Sequence, residues 1–150
     1  MKKVYLQKIN MGSLIGIDYG IKRSGLACTD PNKIIASGLR NLPTNNVITF
    51  LKNYCKIEDV EGFIVGKPIQ KDGAPSDVEV HIKKFISVLG KNFPNQKIER
   101  YDERYTSKIA LQSLLEAGLS KKKRAEKGIV DQISATLILQ SYLKHKANTL

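Results

Sequence analysis

Hydrophobic positions divide the chain into two regimes. Leu14 to Asp18 is a short apolar run that ends in an acid and meets Tyr19-Gly20, the pattern of a buried strand stopped by a turn. Ser24 to Thr29 reads as a second strand, Asp30-Pro31-Asn32 as the turn behind it, and Ile34 to Leu39 as a third strand. Their close spacing predicts an antiparallel meander. The period then lengthens. Val47, Ile48, Phe50, Leu51 and Tyr54 predict a helix over Asn46 to Cys55.

Gly62 to Gly66 encloses Phe63-Ile64-Val65, an unbroken apolar run suited to a central parallel strand. Lys67 to Pro75 is a loop punctuated by Pro68, Gly73 and Pro75. Ser76 and Glu79 have capping-box spacing, and Val78, Ile82, Phe85, Ile86 and Leu89 form one helical face closed by Gly90. Lys97 to Tyr101 reads as a strand leading into Asp102 and Glu103. Thr106 or Ser107 is placed to cap a helix through Ile109, Leu111, Leu114 and Leu115, closed by Gly118, and a last helix spans Gly128 to Lys144. Together these elements predict an α/β fold: a mixed five-stranded sheet flanked by helices on both faces.

The length of 150 residues fits one domain, placed at 13–146 behind an N-terminal extension at 1–12. The formal net charge of +11 makes a polyanion the first partner to consider, nucleic acid ahead of an acidic membrane surface. No run approaches the roughly 20 apolar residues of a membrane span. Cys28 and Cys55 make neither a disulfide framework nor a zinc site and read as reduced residues of a cytoplasmic protein.

The acids carry the candidate chemistry. Asp18 ends a buried strand, where an ion needs a partner. Asp102 and Glu103 follow another strand, and spacing alone does not choose between them. Asp131 shares a stripe of the last helix with Ala135, Ile138 and Tyr142, so its charge is costly unless a cation or metal meets it. Each acid also has an ordinary reading, as a turn residue, a cap, or a charge near a helix start beside Lys127. If the three converge, they make a site for hard Mg²⁺ or Mn²⁺, which prefers carboxylate and water oxygens. The chain carries no Gly-x-Ser-x-Gly elbow, P-loop or His-Glu-x-x-His motif. His81 and His145 read as exposed helical residues rather than ligands.

Four segments carry a resemblance. Gly16-Ile17-Asp18-Tyr19-Gly20-Ile21-Lys22-Arg23-Ser24-Gly25-Leu26-Ala27 resembles the opening signature of the YqgF (RuvX) family. Gly66-Lys67-Pro68 with Asp72-Gly73 resembles its glycine-proline loop, Asp102 to Ser107 its Asp-Glu-Arg block, and Asp131 with Ala135, Ile138, Leu139, Gln140, Tyr142 and Leu143 its closing helix. The match runs from about Leu14 to Leu143. Tyr105 and Ser134 depart from the residues usual there, and neither touches the three acids. The resemblance implies a ribonuclease H-like fold related to Holliday junction resolvases, and a nuclease that processes the 5′ end of precursor 16S ribosomal RNA. It further implies that Asp18, Glu103 and Asp131 are the metal-binding acids, which favours Glu103 over Asp102.

Basic residues neighbour each of these segments: Lys22 and Arg23, Lys67 and Lys71, Arg104, and the run Lys121, Lys122, Lys123 and Arg124. Such residues grip backbone phosphates without reading bases. The substrate is therefore expected to be nucleic acid, pre-rRNA or branched DNA. Three rivals stand beside the nuclease: a Holliday junction resolvase acting on DNA, a non-catalytic nucleic-acid-binding protein, and a sugar-kinase or actin-like phosphotransferase, which needs a second lobe. Junction resolution normally requires a symmetric dimer; the sequence is equally compatible with a monomer and a homodimer.

Overall fold

The computed structural model describes residues 12–106 and 127–148, with backbone alone over 127–131. The N-terminal extension up to residue 11, the helix expected from Thr106 or Ser107 to Gly118, and Lys121, Lys122, Lys123 and Arg124 lie outside the described residues.

The strands are β1 (Ser13–Asp18), β2 (Arg23–Thr29), β3 (Ala36–Pro43), β4 (Val60–Lys67) and β5 (Lys97–Asp102). They form one mixed sheet in the order β3-β2-β1-β4-β5. The first three make the expected antiparallel meander, with Gly16 opposite Ala27 and Ala27 opposite Gly38. β4 and β5 run parallel to β1, with Gly16 beside Ile64 and Lys67 beside Asp102. The C-terminal ends of β1, β4 and β5 therefore share one edge of the sheet.

Among the described residues three α-helices cover the two faces: α1 (Val47–Ile57), α2 (Glu79–Asn92) and α3 (Lys127–Asn148). Alternation along each strand decides which face a side chain enters. Ile15, Ile17, Phe63 and Val65 pack with Val47 and Leu51 of α1 and Ile82, Phe85 and Leu89 of α2. Leu14, Ala27, Ile64 and Tyr101 pack with Ala135, Ile138, Leu139 and Tyr142 of α3. Each fully buried large side chain in these layers contributes about 1.5–3 kcal/mol.

The α3 face is built for close approach. A Cβ on Gly16 would lie 3.0 Å from the Ala135 carbonyl oxygen and from Leu139 Cβ. The Ala36 amide donates to Gln140 Oε1 at 3.1 Å, while Gly38 lies against Gln132 and Thr136. Residue numbers on α3 thus fall toward the C-terminal end of β1, and the helix points its N-terminal end at that edge.

Several local expectations are corrected. β3 begins at Ala36, because the Asp30 carboxylate accepts from the amides of Asn32, Ile34 and Ile35 and folds 30–35 into a turn that leaves Ile34 and Ile35 exposed. Ser76 and Glu79 form no capping box: α2 has no side-chain cap, and the Glu79 carboxylate pairs with Arg100 instead. Gly90 does not end α2, which continues to Asn92. Both cysteines are free, as expected, and His81 and His145 are exposed.

Candidate active site

The site edge begins with the turn after β1. The Ser24 hydroxyl, fully buried, accepts from the Gly20 amide and lies 2.8 Å from the Thr44 hydroxyl. Thr44 Oγ1 donates to the Gly20 carbonyl at 2.6 Å, and the Thr44 amide donates to the Lys22 carbonyl at 2.9 Å. These bonds hold the Tyr19 to Lys22 backbone and thereby fix where β1 delivers Asp18. Tyr19 packs its ring on Phe85, centroids 5.2 Å apart, so its ring serves the core.

Beyond β5 the chain makes a single 3-10 turn, Glu103–Tyr105. Asp102 caps it by accepting from the Arg104 amide at 2.9 Å, and the Arg104 guanidinium grips the same carboxylate from 2.7 Å. The Arg104 hydrogen bond is the main reason that Asp102 titrates below its ordinary value. Asp102 is therefore already satisfied as a cap and an ion-pair partner.

Glu103 turns the other way. Its carboxyl group comes within hydrogen-bonding reach of that of Asp18. It rests on Gly66 at the end of β4, where a Cβ would fall 2.7 Å from Glu103 Oε1 and 2.8 Å from Ile138 Cδ1. Burial raises the Glu103 carboxyl above its ordinary value, while the Asp18 hydrogen bond and the nearby Arg100 charge act to lower it. Two carboxyl groups this close need a proton or a cation between them. That donor set, hard oxygen ligands on a floor with no side chain, fits a divalent ion such as Mg²⁺ or Mn²⁺.

The backbone of Asp131 lies in α3 one turn before Ala135, on the side of Gly16 toward Asp18. Its side chain lies outside the described residues. Among the described residues, no three His, Cys, Asp or Glu side chains gather. The stripe on which Asp131 was placed does face the sheet: Ala135 is fully buried, Ile138 2% exposed and Tyr142 6% exposed.

The basic residues of this edge differ in their commitments. Lys22, Arg23 and Lys71 are exposed, the Arg23 guanidinium also donating to the Asn41 side-chain oxygen, and Lys67 is half-buried next to Asp102. Arg104 is exposed yet spends its guanidinium on Asp102. The loop bearing Lys71 is a tight turn: Gly73, at φ +88°, donates its amide to the Gln70 carbonyl, and Asp72 accepts from the Ala74 amide. A positive φ there suits glycine.

Two residues beside the site went unsuspected in the sequence. Arg100 donates to both oxygens of Glu79, at 2.9 and 2.7 Å, and to the carbonyls of Val65 and Gly66, at 3.3 and 3.0 Å. Neither spacing nor periodicity pairs positions 79 and 100, and Glu79 at the start of a predicted helix read as a capping-box residue.

Comparison with known proteins decides the relationship. Residues 12–145 match the family described as RuvX: Holliday junction resolvase. The chain belongs to the RuvX family. A relative from Christiangramia forsetii is 50% identical over 133 residues, covering 89% of this chain and 98% of its own. One from Flavobacterium johnsoniae is 48% identical over 136 residues, covering 91% and 99%. Both are named "Putative pre-16S rRNA nuclease". Among solved structures, Thermus thermophilus RuvC in complex with a Holliday junction substrate aligns with a TM-score of 0.56 at 15% identity, covering 90% of this chain and 96% of that one. At that identity the likeness speaks for the fold, and this RuvX chain has the RuvC-like ribonuclease H fold. Among the described residues no helix is long and apolar enough to cross a membrane.

Proposed function

We propose that the chain is a metal-dependent nuclease that hydrolyses nucleic-acid phosphodiesters, with the 5′ end of pre-16S rRNA as its substrate. Asp18, Glu103 and Asp131 are the acids that would hold Mg²⁺ or Mn²⁺. The observation that carries this reading is the contact between the Asp18 and Glu103 carboxyl groups on the bare surface of Gly66. A non-catalytic binder of a polyanion gains nothing from two acids brought together at a basic edge.

A bound divalent ion supplies the activation of water and the neutralisation of charge on the leaving oxygen. The chain supplies the rest. Asp18 and Glu103 present oxygen ligands from two strand ends held in register by β4. Lys22, Arg23 and Lys71 are placed to contact backbone phosphates and position the strand, with Lys67 nearer the acids and Lys121, Lys122, Lys123 and Arg124 as further candidates. Arg104 contributes chiefly by holding Asp102 away from the site. Water attacks phosphorus and gives up a proton to solvent as the bond to the leaving ribose oxygen breaks and that oxygen takes up a proton from solvent; no side chain forms a covalent intermediate.

The relatives' name supports RNA as substrate, and the family's description keeps a four-way DNA junction as the rival. The test is cleavage of matched RNA carrying the 16S 5′ precursor and of junction DNA, with Mg²⁺ or Mn²⁺ and with chelator. The expected result is metal-dependent cleavage of the RNA that Asp18→Asn abolishes. Cleavage of the junction alone would transfer the assignment to DNA resolution; cleavage by wild type in chelator would overturn the metal reading.

A further inference from the structure

We propose that Arg100, held by Glu79, is a positioning residue that fixes the Gly66 end of β4 and, through it, the Glu103 carboxyl group against Asp18. The inference rests on the metal-site reading above and concerns how that site is kept in shape.

Arg100 lies in β5, three residues before Glu103, and reaches sideways to the neighbouring strand. Its Nε and Nη2 donate to the consecutive carbonyls of Val65 and Gly66, and its Nη1 and Nη2 grip both oxygens of Glu79. The guanidinium fork is thus shared between a strand end and a helix start. Glu79 is the first residue of α2 and only 4% exposed, so the anchor itself is fixed by packing.

The Gly66 end that Arg100 holds is the surface on which Glu103 rests, with the place of its missing Cβ 2.7 Å from Oε1. The carboxyl group fills the space that a Cβ would take, so the position of Gly66 limits where Glu103 can lie. Ion pairs this sheltered are poor sources of net stability, because desolvation offsets their attraction. The arrangement is better explained by the geometry it imposes. Lysine can replace it only in part, since one ammonium cannot span a carboxylate and two carbonyls in fixed directions.

The experiment is calorimetric titration of the full chain with Mn²⁺, without nucleic acid, at a temperature where circular dichroism shows each variant folded. Arg100→Met is expected to weaken Mn²⁺ binding by about 10- to 100-fold, the usual range for partners that orient metal ligands. Arg100→Lys should recover part of the loss, and Glu79→Gln should fall between wild type and Arg100→Met. A residue that only ties α2 to the sheet would lower the unfolding midpoint and leave Mn²⁺ affinity at the wild-type value; that result overturns the proposal. Should Arg100→Met fail to fold, Glu79→Gln and Arg100→Lys decide by the same criterion. Wild type that binds no Mn²⁺ would sink the metal reading and this inference with it, an outcome distinct from tight binding unchanged by the substitutions.

Discussion

Asp18, at the end of β1, and Glu103, just beyond β5, meet through their carboxyl groups although β4 lies between their strands. Both neighbours of β4 run parallel to it, so their C-terminal ends reach the same edge. The gap above β4 is closed from one side by the long Glu103 side chain, which crosses the bare Gly66. The adjacent acid, Asp102, stays with Arg104. The two carboxylates of the Asp-Glu pair therefore have different work, and substitution should separate them.

Glu103→Gln keeps the shape of the side chain and removes the charge that a divalent ion requires. Loss of even 3 kcal/mol of charge stabilisation slows cleavage about 100-fold or more. Asp102→Asn should instead cost little stability, since asparagine caps about as well as aspartate and the ion pair lost is exposed, with most of the activity kept. Cleavage rates beside thermal melts check both halves, and the opposite ranking of rates would assign the ligand to Asp102.

Gly66→Ala places a methyl where Glu103 Oε1 and Ile138 Cδ1 already stand, 2.7 and 2.8 Å from the new carbon. Ile138 is buried, so the carboxyl group is the partner able to move. The overpacking should cost about 1–3 kcal/mol of stability. Activity should fall much further than the melting midpoint suggests, because the displaced group is the proposed ligand. A variant that melts lower and cleaves at the wild-type rate would detach Gly66 from the chemistry.

Glu79 offers a test in pH. The Arg100 hydrogen bond holds its carboxyl below the ordinary value of 4.5, with burial acting in the opposite direction. The folded chain therefore binds this proton less readily than the unfolded chain does. Its stabilisation is complete above pH 4.5 and is lost as pH falls through the lowered folded value. The melting midpoints of wild type and Glu79→Gln should differ most near neutral pH and draw together on acidification. A gap that stays constant down to acid pH would mean that the ion pair contributes nothing through its charge.

How much of this was legible beforehand depends on the range of the forces involved. The meander and the helix stripe of Ala135, Ile138 and Tyr142 follow from local periodicity, and the structure repeats them. The choice between Asp102 and Glu103 was not local. Successive residues diverge at a strand end, and only the bare position at Gly66 on the next strand shows which acid has room to turn inward. Glu79 shows the same limit from the other side. Its spacing from Ser76 is that of a cap, yet an arginine from β5 outcompetes a local amide, because a charged fork binds a carboxylate more strongly than a neutral donor. The start of β3 was misplaced for a related reason: Asp30 spends its oxygens on three backbone amides and turns the apolar pair Ile34-Ile35 outward.

The basic rim of the site makes a last prediction, in salt. Lys22 is exposed on the turn that follows Asp18, Arg23 is exposed at the start of β2, and Lys71 is exposed on the loop that follows Gly66. If they bind phosphates, each releases counterions when nucleic acid docks, and affinity falls steeply as salt rises. Removing one such charge should weaken binding evenly across sequences and reduce the slope of log affinity against log salt by about 1. Arg104→Ala should change that slope little, since its guanidinium is already committed to Asp102. Fluorescence anisotropy with labelled RNA at several salt concentrations reads the slopes of wild type and of each variant. A wild-type affinity indifferent to salt would remove phosphate gripping from the account, and a slope lost with Arg104 but kept without Lys22 or Arg23 would move the docking surface to the β5 side of the site.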